Sequence, residues 1–148
     1  MQFVITVLGS LQVATDKTIS ILETAEDIKF RTDPRFLKRI LINMGKNALE
    51  ATAPGNSIYL NAFSANGKVV FEVHNKGFIQ PDIQLQIFNR FFSTKGCGRG
   101  LGTYSTKLLA EKYLQGRAYF KSTEENGTSF FLELPMYLEN PDCNCRNS

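Results

Sequence analysis

Along this chain the hydrophobic pattern switches between a period of two and the period of a helix, and the switches mark its elements. Residues 57–64 and 68–75 alternate as strands on either side of Ala65-Asn66-Gly67, which predicts a hairpin with a tight turn. Residues 17–23 and 27–31 alternate over shorter spans and predict two short strands. Asp33 followed by Pro34 opens a helix: the carboxylate can accept from an early backbone N–H, and proline at the first helical position lacks only a donor that would be unpaired anyway. That helix is predicted to run to about residue 52 and stop at Ala53-Pro54-Gly55. A short helix over 82–89, a helix over 101–114, and strands over 117–123 and 128–134 with a turn at Asn126-Gly127 complete the pattern. Residues 2–14 read as a helix or the end of one. Hairpin-connected strands interleaved with helices on one face predict an α+β fold, a two-layer α/β sandwich with a mixed, largely antiparallel sheet.

Composition narrows the class. The 148 residues suit one domain, and 43% hydrophobic with 21% charged residues is the balance of a soluble globular chain. A net charge of +3 with no basic stripe carrying interleaved aromatics gives no nucleic-acid partner. No apolar run approaches the ~20 residues of a membrane helix, and direct membrane contact is not expected. The cysteines are Cys97, Cys143 and Cys145, an odd number with two in a polar tail, so they make no disulfide framework and fit a reducing cytoplasm. The single histidine, His74, falls inside a predicted strand. Cys143 and Cys145 therefore read as incidental members of a disordered tail rather than half of a metal site.

Two constellations carry chemistry. Asn43 and Asn47 are four apart and share one face of the first long helix with Phe36, Ile40 and Ala51. Carboxamides on a mostly apolar stripe either bond nearby backbone or present oxygens to a ligand, and magnesium accepts such neutral oxygens when phosphates supply the charge. The second is a glycine-rich stretch, residues 91–102, with glycine at 96, 98, 100 and 102, running directly into a helix. Glycines let backbone N–H groups approach an anion, the helix N-terminus adds partial positive charge, and Lys95 and Arg99 add full charges. The spacing is neither that of a Walker loop nor that of a dinucleotide fingerprint.

At these residues the sequence resembles the catalytic domain of bacterial sensor histidine kinases, in the GHKL superfamily shared with DNA gyrase, the Hsp90 chaperones and the MutL repair proteins. LINMGKNALEA (41–51) is similar to the N box, VHNKGFI (73–79) to the G1 box, IFNRFF (87–92) to the F box and GRGLG (98–102) to the G2 box. NGT (126–128) followed by Leu134-Pro135 is similar to the closing strands. The resemblance covers roughly residues 18–135 and keeps the boxes in order. It implies a Bergerat ATP-binding fold with ATP and Mg2+ held between the N-box helix and a flexible lid. By position it implies Asn47 as the magnesium ligand, and Asn43 where hydrolysing relatives carry a glutamate base. It implies Asn75, Gly77, Ile79 and Thr128 at the adenine end. Arg90, Lys95, Gly98, Arg99, Gly100, Leu101 and Gly102 fall on the lid beside the phosphates, with Asn43, Asn47, Lys95 and Arg99 the residues of the transfer step.

The sequence departs from that pattern at Asn75, where the family carries aspartate, and in a G1 box one residue short, with Phe78-Ile79 in place of its second glycine. Strand alternation puts Val69, Phe71, Val73 and Asn75 on one side and His74 on the other. His74 is then no phosphoacceptor. The resemblance implies that the acceptor histidine belongs to a dimerisation domain of the same full-length protein, of which residues 1–14 would be a remnant, followed by the catalytic domain over 15–137 and a disordered tail over 138–148. A response regulator receiver domain would act downstream. The expected setting is the cytoplasm, either free or as the cytoplasmic part of a membrane-bound sensor. A self-contained ATPase of the gyrase or Hsp90 type, an anti-sigma-factor-type serine kinase and a non-enzymatic docking module are the rival readings. Asn43 counts against the first two, since an amide takes no proton from water.

Overall fold

A computed structural model describes Thr6, residues 16–89 and residues 101–138. Its five strands are β1 (Thr18–Ile21), β2 (Ser57–Ala65), β3 (Lys68–Asn75), β4 (Arg117–Thr123) and β5 (Gly127–Pro135), in one sheet of order β1-β2-β3-β5-β4. β1 is parallel to β2, and every other neighbouring pair is antiparallel. The helices among the described residues are α1 (Pro34–Glu50), the single turn α2 (Pro81–Gln84) and α3 (Leu101–Lys112). α1 packs on β3 and α3, and α3 on β4, giving the helix layer over a mixed, largely antiparallel sheet that the pattern predicts.

α1 starts where the sequence places it. Asp33 Oδ1 accepts from the backbone N–H of Arg35 at 2.9 Å, with Pro34 in the first turn. Leu37, Ile40, Leu41, Met44 and Ala48 recur at helical spacing and are buried, while Lys38, Arg39 and Lys46 stay exposed. Lys17 Nζ donates to the Leu49 carbonyl at 2.6 Å, supplying a cation to the last turn. The helix ends at Glu50, two residues before the expected stop.

The inward face of the sheet is built in rows set by register. Val69 lies opposite Leu134; Ala62, Phe71, Leu132 and Ala118 form the next row; Leu60, Val73, Phe130 and Phe120 the third. These residues join α1 and α3 in one core.

Three expectations were too long. Of residues 27–31 only Arg31 makes a β-bridge, to Tyr137, with its N–H donating to the Met136 carbonyl at 2.7 Å. Residues 17–23 contribute only Thr18–Ile21, and 82–89 yields the turn Pro81–Gln84 followed by looser turns. Leu85 is 85% exposed there, so no burial holds further helix. The Leu138 N–H donates to the Arg31 carbonyl at 3.0 Å. The remnant expected over 1–14 (Thr6 apart), the lid residues Arg90, Lys95, Gly98, Arg99 and Gly100, and Cys97, Cys143 and Cys145 lie outside the described residues.

Candidate functional site

The fourth inward row of the sheet is polar. Asn75 pairs in register with Thr128, and Thr128 with Ser122. Asn75 and Thr128 are each 1% exposed. An apolar side chain buried at such a position would contribute about 1.5–3 kcal/mol. The chain forgoes that twice in one row, with half-buried Ser122 beside them, where the neighbouring core rows keep to apolar side chains, and the place where stability is given up marks the candidate site.

The row is wired to the loop that follows β3. The Ile79 N–H donates to Ser122 Oγ at 2.9 Å, the Ser122 and Thr128 hydroxyls lie 2.7 Å apart, and Thr128 donates to the Gly77 carbonyl at 2.7 Å. Thr128 spends its proton on Gly77, so Ser122 supplies the proton between the two hydroxyls. Gln84 Nε2 donates to the Ile79 carbonyl at 2.7 Å and reaches the Ser122 carbonyl at 3.4 Å. The shortened loop is thereby fixed from both sides without a second glycine.

Two glycines shape the pocket by close approach. A Cβ on Gly77 would lie 2.8 Å from Asn75 Nδ2 and 3.0 Å from the Ala51 carbonyl oxygen, so a side chain there would cover the Asn75 amide. Gly127 turns β4 into β5 at φ +74°, and a Cβ on it would lie 2.4 Å from the Asn75 carbonyl oxygen. Both conditions exclude other residues at 127.

The helix layer closes the other side. Asn43 and Asn47 are half-buried on α1. A Cβ on Gly102 would lie 3.8 Å from both Asn47 Oδ1 and Nδ2, so the Asn47 carboxamide faces the first turn of α3, which also contains the Leu101 backbone. The Thr103 hydroxyl donates to the Ile87 carbonyl and Phe88 packs on Phe120 at 5.7 Å between ring centroids. The first contact joins the residues that flank the glycine-rich stretch, and the second packs Phe88 on β4. Among the described residues no three His, Cys, Asp or Glu side chains gather to hold a metal by themselves.

The structure thus brings together Asn75, Gly77, Ile79 and Thr128, and sets Asn47 against Gly102; the two groups meet along α1, where Gly77 lies against the Ala51 carbonyl one turn after Asn47 and two after Asn43. It sets His74 on the opposite face of the sheet, its Nδ1 2.9 Å from Ser129 Oγ, which donates to Glu72 Oε1 at 2.7 Å. A separate surface cleft of about 170 Å³, bordered by Lys68, Arg117 and Glu133, lies at the far end of β3 from Asn75. Sequence reasoning missed Ser122 and Gln84. Alternation along β4 puts Ser122 inward with Ala118 and Phe120, the signal that singled out Asn75 on β3.

The fold is a two-layer sandwich with a polar row at one end of its sheet and a helix bearing two carboxamides packed on that sheet. Residues 32–138 match the family of histidine kinase-, DNA gyrase B- and HSP90-like ATPases. The chain is 31% identical over 135 residues to the circadian input-output histidine kinase CikA of Synechococcus elongatus, covering 86% of this chain and 17% of that protein. It is 27% identical over 123 residues to the heme sensor protein HssS of Staphylococcus haemolyticus, covering 81% of this chain and 27% of that protein. The catalytic domain of the histidine kinase ThkA superposes with a TM-score of 0.77 at 27% identity, covering 93% of this chain and 92% of that one. The chain belongs to this family of histidine kinase-, DNA gyrase B- and HSP90-like ATPases. It spans less than a third of the length of the two curated relatives. No helix among its described residues is long and apolar enough to cross a membrane.

Proposed function

We propose that the chain binds magnesium-ATP between α1 and the segment leading into α3, and that it transfers the γ-phosphoryl group to a histidine on a separate dimerisation domain of the full-length protein. The supporting observation is the convergence of Asn47, Asn75, Gly77, Gly102 and Thr128, far apart in sequence, on one end of the sandwich. The base lies at the Asn75–Thr128 row and the phosphates at the N-terminus of α3.

The residues fit a magnesium ion that comes with its nucleotide. Asn47 offers one neutral oxygen toward α3, and among the described residues no carboxylate cluster competes for the ion. Magnesium of this kind takes one or two protein oxygens and completes its shell with phosphates and water. When bound it neutralises charge on the phosphates. Asn47 orients it. The N-terminus of α3 brings partial positive charge to the phosphates, and the family motif assigns Arg90, Lys95 and Arg99 the full charges. Asn43 holds no proton-accepting group at neutral pH, so water is not activated and ATP is kept for the histidine. A response regulator receiver domain then takes the phosphoryl group, and the reaction runs in the cytoplasm, where ATP is available.

Isothermal titration of the folded chain with a non-hydrolysable ATP analogue tests the reading. Binding that strengthens with magnesium supports it. No heat and no thermal protection at millimolar nucleotide would refute it in favour of a docking module.

A further inference from the structure

Asn75 is buried to 1% exposure, and its Nδ2 has no hydrogen-bond partner among the described residues. The polar groups beside it are committed. Thr128 donates to Gly77, Ser122 donates to Thr128, and Ile79 donates to Ser122. The Asn75 amide is thus the unspent function of the polar row, and Gly77 leaves it uncovered.

A buried donor without an acceptor is costly, and a ligand that supplies the acceptor recovers that cost. A carboxylate in this place would offer acceptors only, whereas an amide offers a donor and an acceptor side by side and can turn over. One orientation matches a 6-amino purine, accepting from the amino group and donating to the ring nitrogen N1. The other matches a 6-oxo purine, donating to the carbonyl oxygen and accepting from N1–H. Nothing else in the row breaks the tie, because the only hydroxyl protons there are already spent.

We propose that Asn75 makes this pocket a permissive reader of the purine 6-position, so that 6-oxo purine nucleotides bind as well as ATP does to within about tenfold. This rests on the nucleotide-binding reading above and deepens it. Displacement of a fluorescent ATP analogue by ATP, GTP and ITP tests it, on the parent, Asn75→Asp and Asn75→Ala, each checked for folding by melting. ITP lacks the 2-amino group of GTP, so it reports the 6-position alone.

The expected result is ATP and ITP within about tenfold of each other on the parent, a preference for ATP at least about tenfold sharper in Asn75→Asp, and weaker binding of both in Asn75→Ala. A parent that prefers ATP over ITP by about a hundredfold or more overturns the inference without recourse to any variant. Unchanged binding of both nucleotides by a folded Asn75→Ala also overturns it. Failure of the folded parent to bind any nucleotide would instead sink the reading on which it rests.

Discussion

The hydroxyl of Ser122 stands 2.7 Å from that of Thr128, and this contact joins the last two strands to the loop after β3. Removing Ser122 Oγ strands two groups: the Ile79 N–H loses its acceptor and Thr128 loses its donor. An unmatched buried polar group costs about 1–3 kcal/mol. Ser122→Ala should therefore weaken ATP-analogue binding about tenfold through a displaced loop, and Ser122→Thr, which keeps the hydroxyl, should restore most of it. Titration with a melting curve on each variant checks this. Unchanged affinity with a lowered melting temperature would show that the relay serves stability alone.

Asn47→Ala should reduce magnesium-dependent nucleotide binding more than metal-free binding. The carboxamide faces the first turn of α3 across an open gap, since even a Cβ on Gly102 would only reach ordinary contact at 3.8 Å. Loss of a metal ligand appears only when the metal is present. Loss of a packing group appears in both conditions. Titrations in magnesium and in EDTA separate the two, with a drop of about tenfold or more expected in magnesium alone. Equal losses in both would remove Asn47 from the metal site.

Acid should loosen the start of α1. The Arg35 side chain, hydrogen-bonded to Asp33, holds that carboxyl below the ordinary carboxylate value, and the Arg35 backbone N–H adds to the effect. A lowered folded-state pKa stabilises the fold above the unfolded value of about 4, and the contribution is lost as pH falls through the folded value. Asp33→Asn keeps a cap oxygen but does not titrate. Its melting temperature should fall less steeply than the parent's below pH about 4. Parallel melting curves for the two from neutral pH into acid provide the check; identical slopes would mean that Asp33 carries none of the acid sensitivity.

What could be read from the sequence was what depends on near neighbours. The Asp33-Pro34 start of α1, the turn at Asn66-Gly67 and the inward set Val69, Phe71, Val73 and Asn75 are local patterns, and the structure keeps all three. The predicted strand over 27–31 shrank to one bridge because its partner, Tyr137, is remote in sequence and offers a single register position. Alternation along β4 puts Ser122 inward, but only register places its hydroxyl beside Thr128 and gives it a role. The family's motif positions brought Asn47, Asn75 and Thr128 forward together, but the way their hydrogen bonds are spent, and which amide is left over, depends on distances that no spacing encodes.

The chain alone should hydrolyse ATP slowly and should not label itself. Position 43 carries an amide, half-buried on α1 one turn before Asn47, where it can accept a hydrogen bond but cannot take a proton from water. The one histidine of the chain is on the wrong face: His74 neighbours Asn75 in β3 but points through the sheet, tied to Ser129 and through it to Glu72. Incubation with γ-labelled ATP should therefore leave the chain unlabelled, while an added dimerisation domain from the same full-length protein becomes labelled with a phosphate stable to base and lost in acid. Asn43→Glu places a carboxylate where water could be activated. Since a positioned base contributes roughly 10²-fold or more to such a step, hydrolysis by that variant should rise at least about tenfold even with imperfect placement. Measured phosphate release decides this half of the argument. Label mapped to His74, or brisk hydrolysis by the parent, would mean that Asn43 does not spare ATP and that the chain transfers phosphate without a second domain.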